Sequence, residues 1–316
     1  LPEAARALFV RSLDRLGPGE GLRLRLRLPP ALAGIPWEYL YVARAGGEKD
    51  ATGFLALDPR LSIARHEALP IAADLDEAPR PRRLVVALAS PAAEGYAPLD
   101  LGRERGVIEA ATKDLPATRV DVVEDVTAEA LVDALMGGAD LFHFAGHGVF
   151  EQTGLGIRPG SVTGRGALVL ADGAGGAAHV PADQLGVNLR GRGVQVVVLG
   201  ACETAKRDEE SAWSGVAAAL MEAGIPAVVA MQFRVWDDAA IAFARALYRG
   251  LAAGLSLDEA VSIGRLQVFN LVHPRQDGFW REWGVPVLYQ HAAGAVRLPA
   301  IADPDAARAA ADGLCV

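Results

Sequence analysis

Cysteine is scarce in this 316-residue sequence: there are only two, Cys202 and Cys315, and they lie far apart. This excludes a small secreted protein held together by disulfides, and two free thiols fit a reducing, cytoplasmic compartment. Basic residues are also in deficit, since 31 Lys and Arg against 39 Asp and Glu leave a net charge of −8. Nucleic-acid binding needs a concentrated basic face, so we expect no nucleic-acid partner.

The sequence also lacks a long, uninterrupted hydrophobic run. The best candidate, residues 215–233, contains Glu222, Gly224 and Pro226, which favours a buried helix followed by a buried strand over a membrane span. No signal peptide is recognisable, and there is no leading Met. We therefore expect no membrane association and interpret the chain as a piece of a longer one.

The composition present is that of a globular protein, with 51% hydrophobic and 22% charged residues. We predict an N-terminal helix over residues 1–16 and then a small β-rich lobe that extends to residue 82. Its clearest strand is LRLRLRL at Leu22–Leu28, whose alternation puts every Leu on one face. Shorter strands are predicted near 38–43, 54–57 and 62–65.

From residue 83 the pattern changes, after the Pro- and Arg-rich stretch at 77–83. Continuous apolar runs such as LVVALAS (Leu84–Ser90) alternate with helical segments, which is typical of strands buried on both faces. We predict an α/β fold over 83–292, a three-layer αβα sandwich around a mostly parallel sheet, followed by an Ala-rich tail at 293–316. In such sheets the ligand site lies at the carboxyl ends of the strands.

Two of these strand ends carry reactive residues. The run ADLFHFAGHG is predicted to be a buried strand that enters a glycine turn at His147, and VQVVVLGAC ends at Cys202. A thiolate beside an imidazole, with the backbone N–H groups of Gly148 and Cys202 as donors, has the parts for acyl transfer through an oxyanion. The alternative is that Cys202 is a buried, inert thiol.

A metal site at His143 and His147 is disfavoured, because four residues of extended strand separate the two backbones by roughly 13 Å. We expect His143 to lie in the core or to line the floor of the site, on the same face as His147. The sequence contains no GxxxxGK[ST] phosphate loop, so we expect no cofactor and no metal. The remaining histidines have no partner that the sequence identifies: His66, His179, His273 and His291.

The motifs LFHFAGHG and VVVLGACETA, in which Cys202 follows His147 by 55 residues, resemble those of the CHAT family of bacterial caspase-like cysteine peptidases. The segments GALVLADG, VPADQL and WGVPVLY also resemble parts of that family, and the resemblance covers most of 20–292. It implies a caspase-like fold and peptide-bond cleavage without a metal or cofactor.

The resemblance also implies roles for individual residues. Cys202 would be the nucleophile, His147 the general base or acid, and the N–H groups of Gly148 and Cys202 the oxyanion donors. Enzymes of this kind that cleave after basic residues carry an acid two positions before the cysteine, where this chain has Gly200. A preference for Arg or Lys and a preference for small or apolar residues both remain open. The candidate pocket residues are Ser90, His143, Asp172, Gly200, Glu203 and Asp208.

By the same resemblance we expect a regulated endopeptidase of a bacterial antiviral-defence or programmed-death module. Its partners would be a protein substrate and an upstream sensor domain or activating protein. We expect the charged segment 203–211 to be disordered or displaced in the resting state. The alternative function is a catalytically silent scaffold with the same fold.

Overall fold

The computed structural model of the chain describes residues 3–42, 50–66, 82–96, 98–113, 118–155, 162–201, 210–233, 235–271, 281–291 and 294–298. The prediction for 203–211 lies outside these residues except for its last two positions. The helices in the described part are α1 (Glu3–Asp14), α2 (Pro30–Ala33), α3 (Leu101–Thr112), α4 (Ala128–Leu135), α5 (Ala182–Arg190), α6 (Glu210–Glu222), α7 (Asp237–Ala252) and α8 (Leu257–Phe269). The strands are β1 (Leu22–Leu26), β2 (Leu61–His66), β3 (Arg82–Leu88), β4 (Thr118–Val123), β5 (Leu141–Leu155), β6 (Val162–Ala171), β7 (Ala177–Pro181), β8 (Val196–Ala201), β9 (Ala227–Met231) and β10 (Pro286–Gln290).

The strands form one central sheet with a hairpin extension. The order across the sheet is β1-β2-β10-β9-β8-β5-β3-β4, and β6 and β7 extend from β5 as an antiparallel hairpin. Within the central sheet only β9 and β10 pair antiparallel, so the sheet is mostly parallel, as predicted. Helices α3, α7 and α8 pack on one another in series, and α5 packs on α6.

The core follows the continuous apolar runs of the sequence. Residues 84–88 of β3 and 196–199 of β8 are at most 2% exposed, which is expected for parallel strands covered on both faces. Side chains cap the start of two of the helices. Thr127 Oγ1 accepts the backbone N–H of Ala130 at 3.1 Å before α4, and the Glu259 carboxylate accepts the Ser256 N–H at 2.8 Å before α8.

The N-terminal segment does not form a separate sheet. Strands β1 and β2, in which the alternation of Leu22–Leu26 is confirmed, continue the central sheet beside β10. The predicted β-rich lobe is thus joined to the later part of the chain, since β2 pairs with β10 and packs on α8. The boundary between residues 82 and 83 stays a prediction.

Two of the short strands predicted in this segment are also corrected. Trp37–Tyr39 and Leu55–Leu57 are 3-10 turns, and the only described strand-like contact between these regions is the single bridge of Tyr41 with Phe54. The first turn follows Pro36 and the second follows Phe54, whose backbone is extended. Tyr39 and Phe54 both pack edge-to-face on Trp283 instead of pairing along a ladder. A short apolar run in the sequence does not by itself distinguish a strand from a helical turn.

The contact of β6 with α6 depends on a glycine. A Cβ on Gly166 would lie 2.4 Å from the backbone nitrogen of Val216 and 2.8 Å from the carbonyl carbon of Gly215. We expect Gly166→Ala to lower the free energy of unfolding by about 1–3 kcal/mol, because backbone atoms would have to move. Urea denaturation measures this change. The matched control is Gly106→Ala in α3, where nothing lies within 4 Å, and equal losses in both variants would contradict the prediction.

Candidate active site

His147 lies where β5 leaves the central sheet. The last residue of β5 that pairs with β8 is Gly146, opposite Ala201, and His147 is the first that pairs with β6, opposite Val169. The strand continues without a turn to Leu155, so the predicted glycine turn is wrong. The two glycines around His147 fit a strand that changes partners. Gly146 has no room for a side chain, since a Cβ would lie 2.5 Å from the Phe144 ring.

The imidazole of His147 is packed against a tyrosine. His147 is only 3% exposed, and its ring centroid lies 5.3 Å from that of Tyr96, with 40° between the ring planes. Tyr96 Oη is hydrogen-bonded to His179 Nε2 at 2.6 Å. Sequence reasoning gave His179 no partner and did not consider Tyr96. No sequence signal identifies the pair, because the residues come from the loop after β3 and from β7.

Cys202 lies outside the described residues, as do Glu203 and Asp208 of the predicted pocket. Strand β8 is described up to Ala201, the residue before Cys202. Ala201 pairs in parallel with Gly146, the residue before His147. Gly148, the other expected oxyanion donor, lies within β5 opposite Leu168 of β6. It is therefore part of an antiparallel ladder and not of a loop.

His143 is a buried core histidine. Its Nδ1 is hydrogen-bonded to Tyr248 Oη of α7 at 2.6 Å, and burial lowers the pKa of His143 to about 4. The imidazole is therefore neutral at pH 7. A Cβ on Gly200 would lie 3.7 Å from His143 Nε2, so the two residues are neighbours, as expected for the floor of a site.

A small cavity of about 30 Å³ opens beside His143 and Gly200. It lies between the sheet and helices α3 and α7, and Glu104 is the acidic residue of its wall. The remaining lining is apolar: Val107, Ile108, Val198, Met231, Val235, Ala240, Phe243 and Ala244. A cavity of this volume has room for about two water molecules.

The lowered pKa of His143 makes stability depend on pH. Between pH 6.5 and 4 the unfolded chain binds a proton at this histidine that the folded chain does not bind, so stability falls as the pH falls. The contribution is about 1.4 kcal/mol per pH unit, or about 3 kcal/mol over this window. Urea denaturation of the wild type and His143→Gln at several pH values should show a shallower slope in the variant. Equal slopes would contradict this prediction.

The other predicted pocket residues have structural contacts. Ser90 Oγ accepts the backbone N–H of Leu99 at 2.8 Å and so ties together the loop that carries Tyr96. The Asp172 carboxylate accepts the N–H groups of Ala174 and Gly176, both at 2.7 Å, in the turn between β6 and β7. These bonds lower the pKa of the exposed Asp172 carboxyl. Asp172 is not part of the wall of the cavity beside Gly200.

A larger groove of about 470 Å³ lies elsewhere, between β1 and α8 at the far end of the sheet. Three of its polar side chains are paired with one another. Asp258 accepts two hydrogen bonds from Arg23, both at 2.7 Å, and one from Ser62 Oγ at 2.6 Å. This cluster explains part of the groove as a structural contact of the sheet edge with α8.

A metal cluster and a membrane-spanning helix are both absent from the described residues. No group of three or more His, Cys, Asp or Glu side chains there could hold a metal ion. None of the described helices is both long and apolar enough to cross a membrane.

The fold is a caspase-like α/β sandwich, as predicted. A family model described as the CHAT domain matches residues 3–292, so the chain belongs to the CHAT domain family. No curated protein sequence matches the chain.

Two solved structures of a cysteine proteinase share the fold. The Arg-specific cysteine proteinase gingipain R has a TM-score of 0.52 at 15% identity, with 94% of this chain and 69% of that chain covered. The complex of Porphyromonas gingivalis RgpB pro- and mature domains gives 0.52 at 14%, with 94% and 70% covered. The separase of the Saccharomyces cerevisiae separase–securin complex gives 0.44 at 17%, covering 85% of this chain, which spans only 15% of that chain.

Proposed function

We propose that the protein is a cysteine endopeptidase in which Cys202 is the nucleophile and His147 the general base and acid. The observation that carries the proposal is the parallel pairing of Gly146 with Ala201, at the carboxyl edge of the sheet. The next residue along the chain is His147 in one case and Cys202 in the other. Consecutive Cα atoms are about 3.8 Å apart, so the chain connectivity keeps the two residues near each other.

The proposed reaction is acyl transfer from a peptide to the thiolate. His147 takes the thiol proton, the Cys202 sulfur attacks the carbonyl carbon of the scissile bond, and the oxyanion is bound by the backbone N–H groups of Gly148 and Cys202. His147 then gives the proton to the leaving amine, and water hydrolyses the thioester. No metal or cofactor takes part in this scheme.

The substrate side chain before the scissile bond is proposed to enter over Gly200. The small cavity there, apolar apart from Glu104 and the neutral His143, favours a small or apolar side chain. Glu203 and Asp208, if they line the same pocket, would favour Arg or Lys instead. The cleavage test below decides between these two preferences.

The cellular role is proposed from the family resemblance. The chain would act in the bacterial cytoplasm on a specific protein substrate, and an upstream sensor domain or partner would switch it on in antiviral defence or programmed death. Neither a nucleic acid nor a membrane would bind it directly.

The test is cleavage of a proteome-derived peptide library by the wild type and by Cys202→Ala, read by mass spectrometry. We expect cuts that occur only with the wild type, and their consensus then identifies the pocket preference. Cuts that persist in Cys202→Ala would overturn the mechanism, because the mechanism assigns the nucleophile to that thiol alone.

A catalytically silent scaffold is the second candidate, and the low exposure of His147 favours it. The discriminating measurement is the rate of Cys202 alkylation by iodoacetamide, compared between the wild type and His147→Ala. An activated thiolate reacts faster when the imidazole is present. Equal rates, together with no cleavage of the library, would support the scaffold.

A further inference from the structure

Tyr96 and His179 form a cluster with His147 that the proposed mechanism does not use. Val169 of β6 pairs with His147 of β5 on one side and with His179 of β7 on the other. The two histidines therefore lie in register, one on each side of β6. Side chains of directly paired residues project from the same face of a sheet. Tyr96 reaches this face from the loop after β3, and its ring lies 5.3 Å from the ring of His147 and 6.2 Å from that of His179.

Tyr96 is held both at its hydroxyl and through its backbone loop. The hydroxyl is held by His179 at 2.6 Å, and the loop that carries the ring is held by the bond from Leu99 N–H to Ser90 Oγ. Asp100, at the end of this loop, accepts the Arg103 N–H at 2.9 Å and so anchors the loop to the start of α3. An aromatic ring held in this way leaves the packed imidazole little freedom to rotate.

We propose that Tyr96 is a positioning residue for His147. Its ring fixes the plane of the imidazole and shields one face from water, and the hydrogen bond to His179 keeps Tyr96 in place. The kinetic consequence rests on the proposed function, because a general base must hold its orientation for proton transfer. The shielding does not depend on catalysis.

The first test measures shielding alone, on the full chain. Diethyl pyrocarbonate modifies the imidazole of accessible histidines, and peptide mapping by mass spectrometry gives a rate for His147 relative to the partly exposed His66 in the same molecule. We expect slow modification of His147 in the wild type and severalfold faster modification in Tyr96→Ala. His179→Ala should give an intermediate rate, and His179→Gln, which keeps a hydrogen-bonding group, should return toward the wild-type rate.

The matched control is Tyr41→Ala, which removes a half-buried tyrosine packed on Phe54, away from the site. It should leave the His147 rate unchanged. An unchanged rate in Tyr96→Ala, with a native circular dichroism spectrum, would overturn the proposal whether or not the protein cleaves peptides.

The second test separates positioning from structure. With the consensus peptide, Tyr96→Ala should lower kcat by about tenfold to a hundredfold with little change in KM, since misorientation affects the chemical step. Tyr96→Phe, which keeps the ring, should lose less. A rise in KM with kcat unchanged would overturn the positioning role. Absence of cleavage by the wild type would count against the proposed function, and the modification rates would still decide whether Tyr96 covers His147.

Discussion

Replacing His147 with alanine is expected to lower kcat/KM for cleavage of the consensus peptide by about 10²- to 10⁴-fold, the range typical of a lost general acid–base group. The reason is specific to thiol chemistry, because an unassisted cysteine is mostly protonated near neutral pH. The fold should persist, since the backbone of residue 147 keeps its pairing with Val169. Initial rates and circular dichroism on the same preparations measure both parts.

The matched control for this variant is His66→Ala. His66 lies on β2, which three other strands separate from β5, and it contacts Arg25 and the Gln290 carbonyl. Its loss should leave kcat/KM within the error of the assay. Added imidazole should partly restore activity to His147→Ala and not to Cys202→Ala. Activity of His147→Ala within tenfold of the wild type would remove His147 from the proposed mechanism.

The largest expected loss of stability comes from Glu38, which is fully buried in the N-terminal segment. It accepts bonds from Arg65 at 2.7 and 3.1 Å, and one from Gln232 Nε2 at 2.9 Å. A second buried guanidinium, Arg265, lies nearby, and burial lowers its pKa to about 10 while the charge of Glu38 acts in the opposite direction. Glu38 therefore offsets two buried positive charges.

We expect Glu38→Gln to lower the free energy of unfolding by about 3–5 kcal/mol, because it leaves these guanidinium groups without a compensating charge. Urea denaturation at pH 7 measures the change. The matched control is Glu109→Gln, which removes the carboxylate of an exposed pair with Arg105, at 2.6 Å on one face of α3. That variant should lose no more than about 0.5 kcal/mol. Similar losses in the two variants would contradict the assignment of Glu38 as an internal counter-charge.

The Glu38 cluster also explains why the N-terminal segment folds together with the rest. Arg65 Nη2 donates to Gln232 Oε1 at 3.1 Å, and Gln232 Nε2 donates to the Gly284 carbonyl at 2.7 Å. Gln232 follows β9 at the same sheet edge as the candidate site. Its hydrogen bonds to Arg65, Glu38 and the Gly284 carbonyl explain why a polar residue follows this strand without a role in the proposed reaction.

Much of the architecture was predictable from the sequence, because its signals are local. The apolar runs of β3 and β8, the alternation in β1 and the caps of α4 and α8 depend on residues within a few positions of each other. The resemblance of the motifs around His147 and Cys202 to the CHAT family was also apparent from the sequence, and the CHAT domain match over residues 3–292 confirms it. The burial of His143 was expected because an apolar strand surrounds it.

Other features depended on pairing across long separations. The glycines beside His147 have the local pattern of a turn, and only the presence of β6 decides that β5 continues as a strand. Strands β1 and β2 have the pattern of a small lobe, yet the free edge of β10 and the buried contact of Arg65 with Glu38 draw them into the central sheet.

The sequence by itself thus determined which segments are buried strands and helices, and it identified His147 and Cys202 as the candidate residues. The tertiary structure alone decided what surrounds His147: Tyr96 from one loop and His179 from a strand two places away in the hairpin sheet. The physical reason is that burial and helix capping act over a few residues, whereas cross-strand contacts join positions that no local pattern connects.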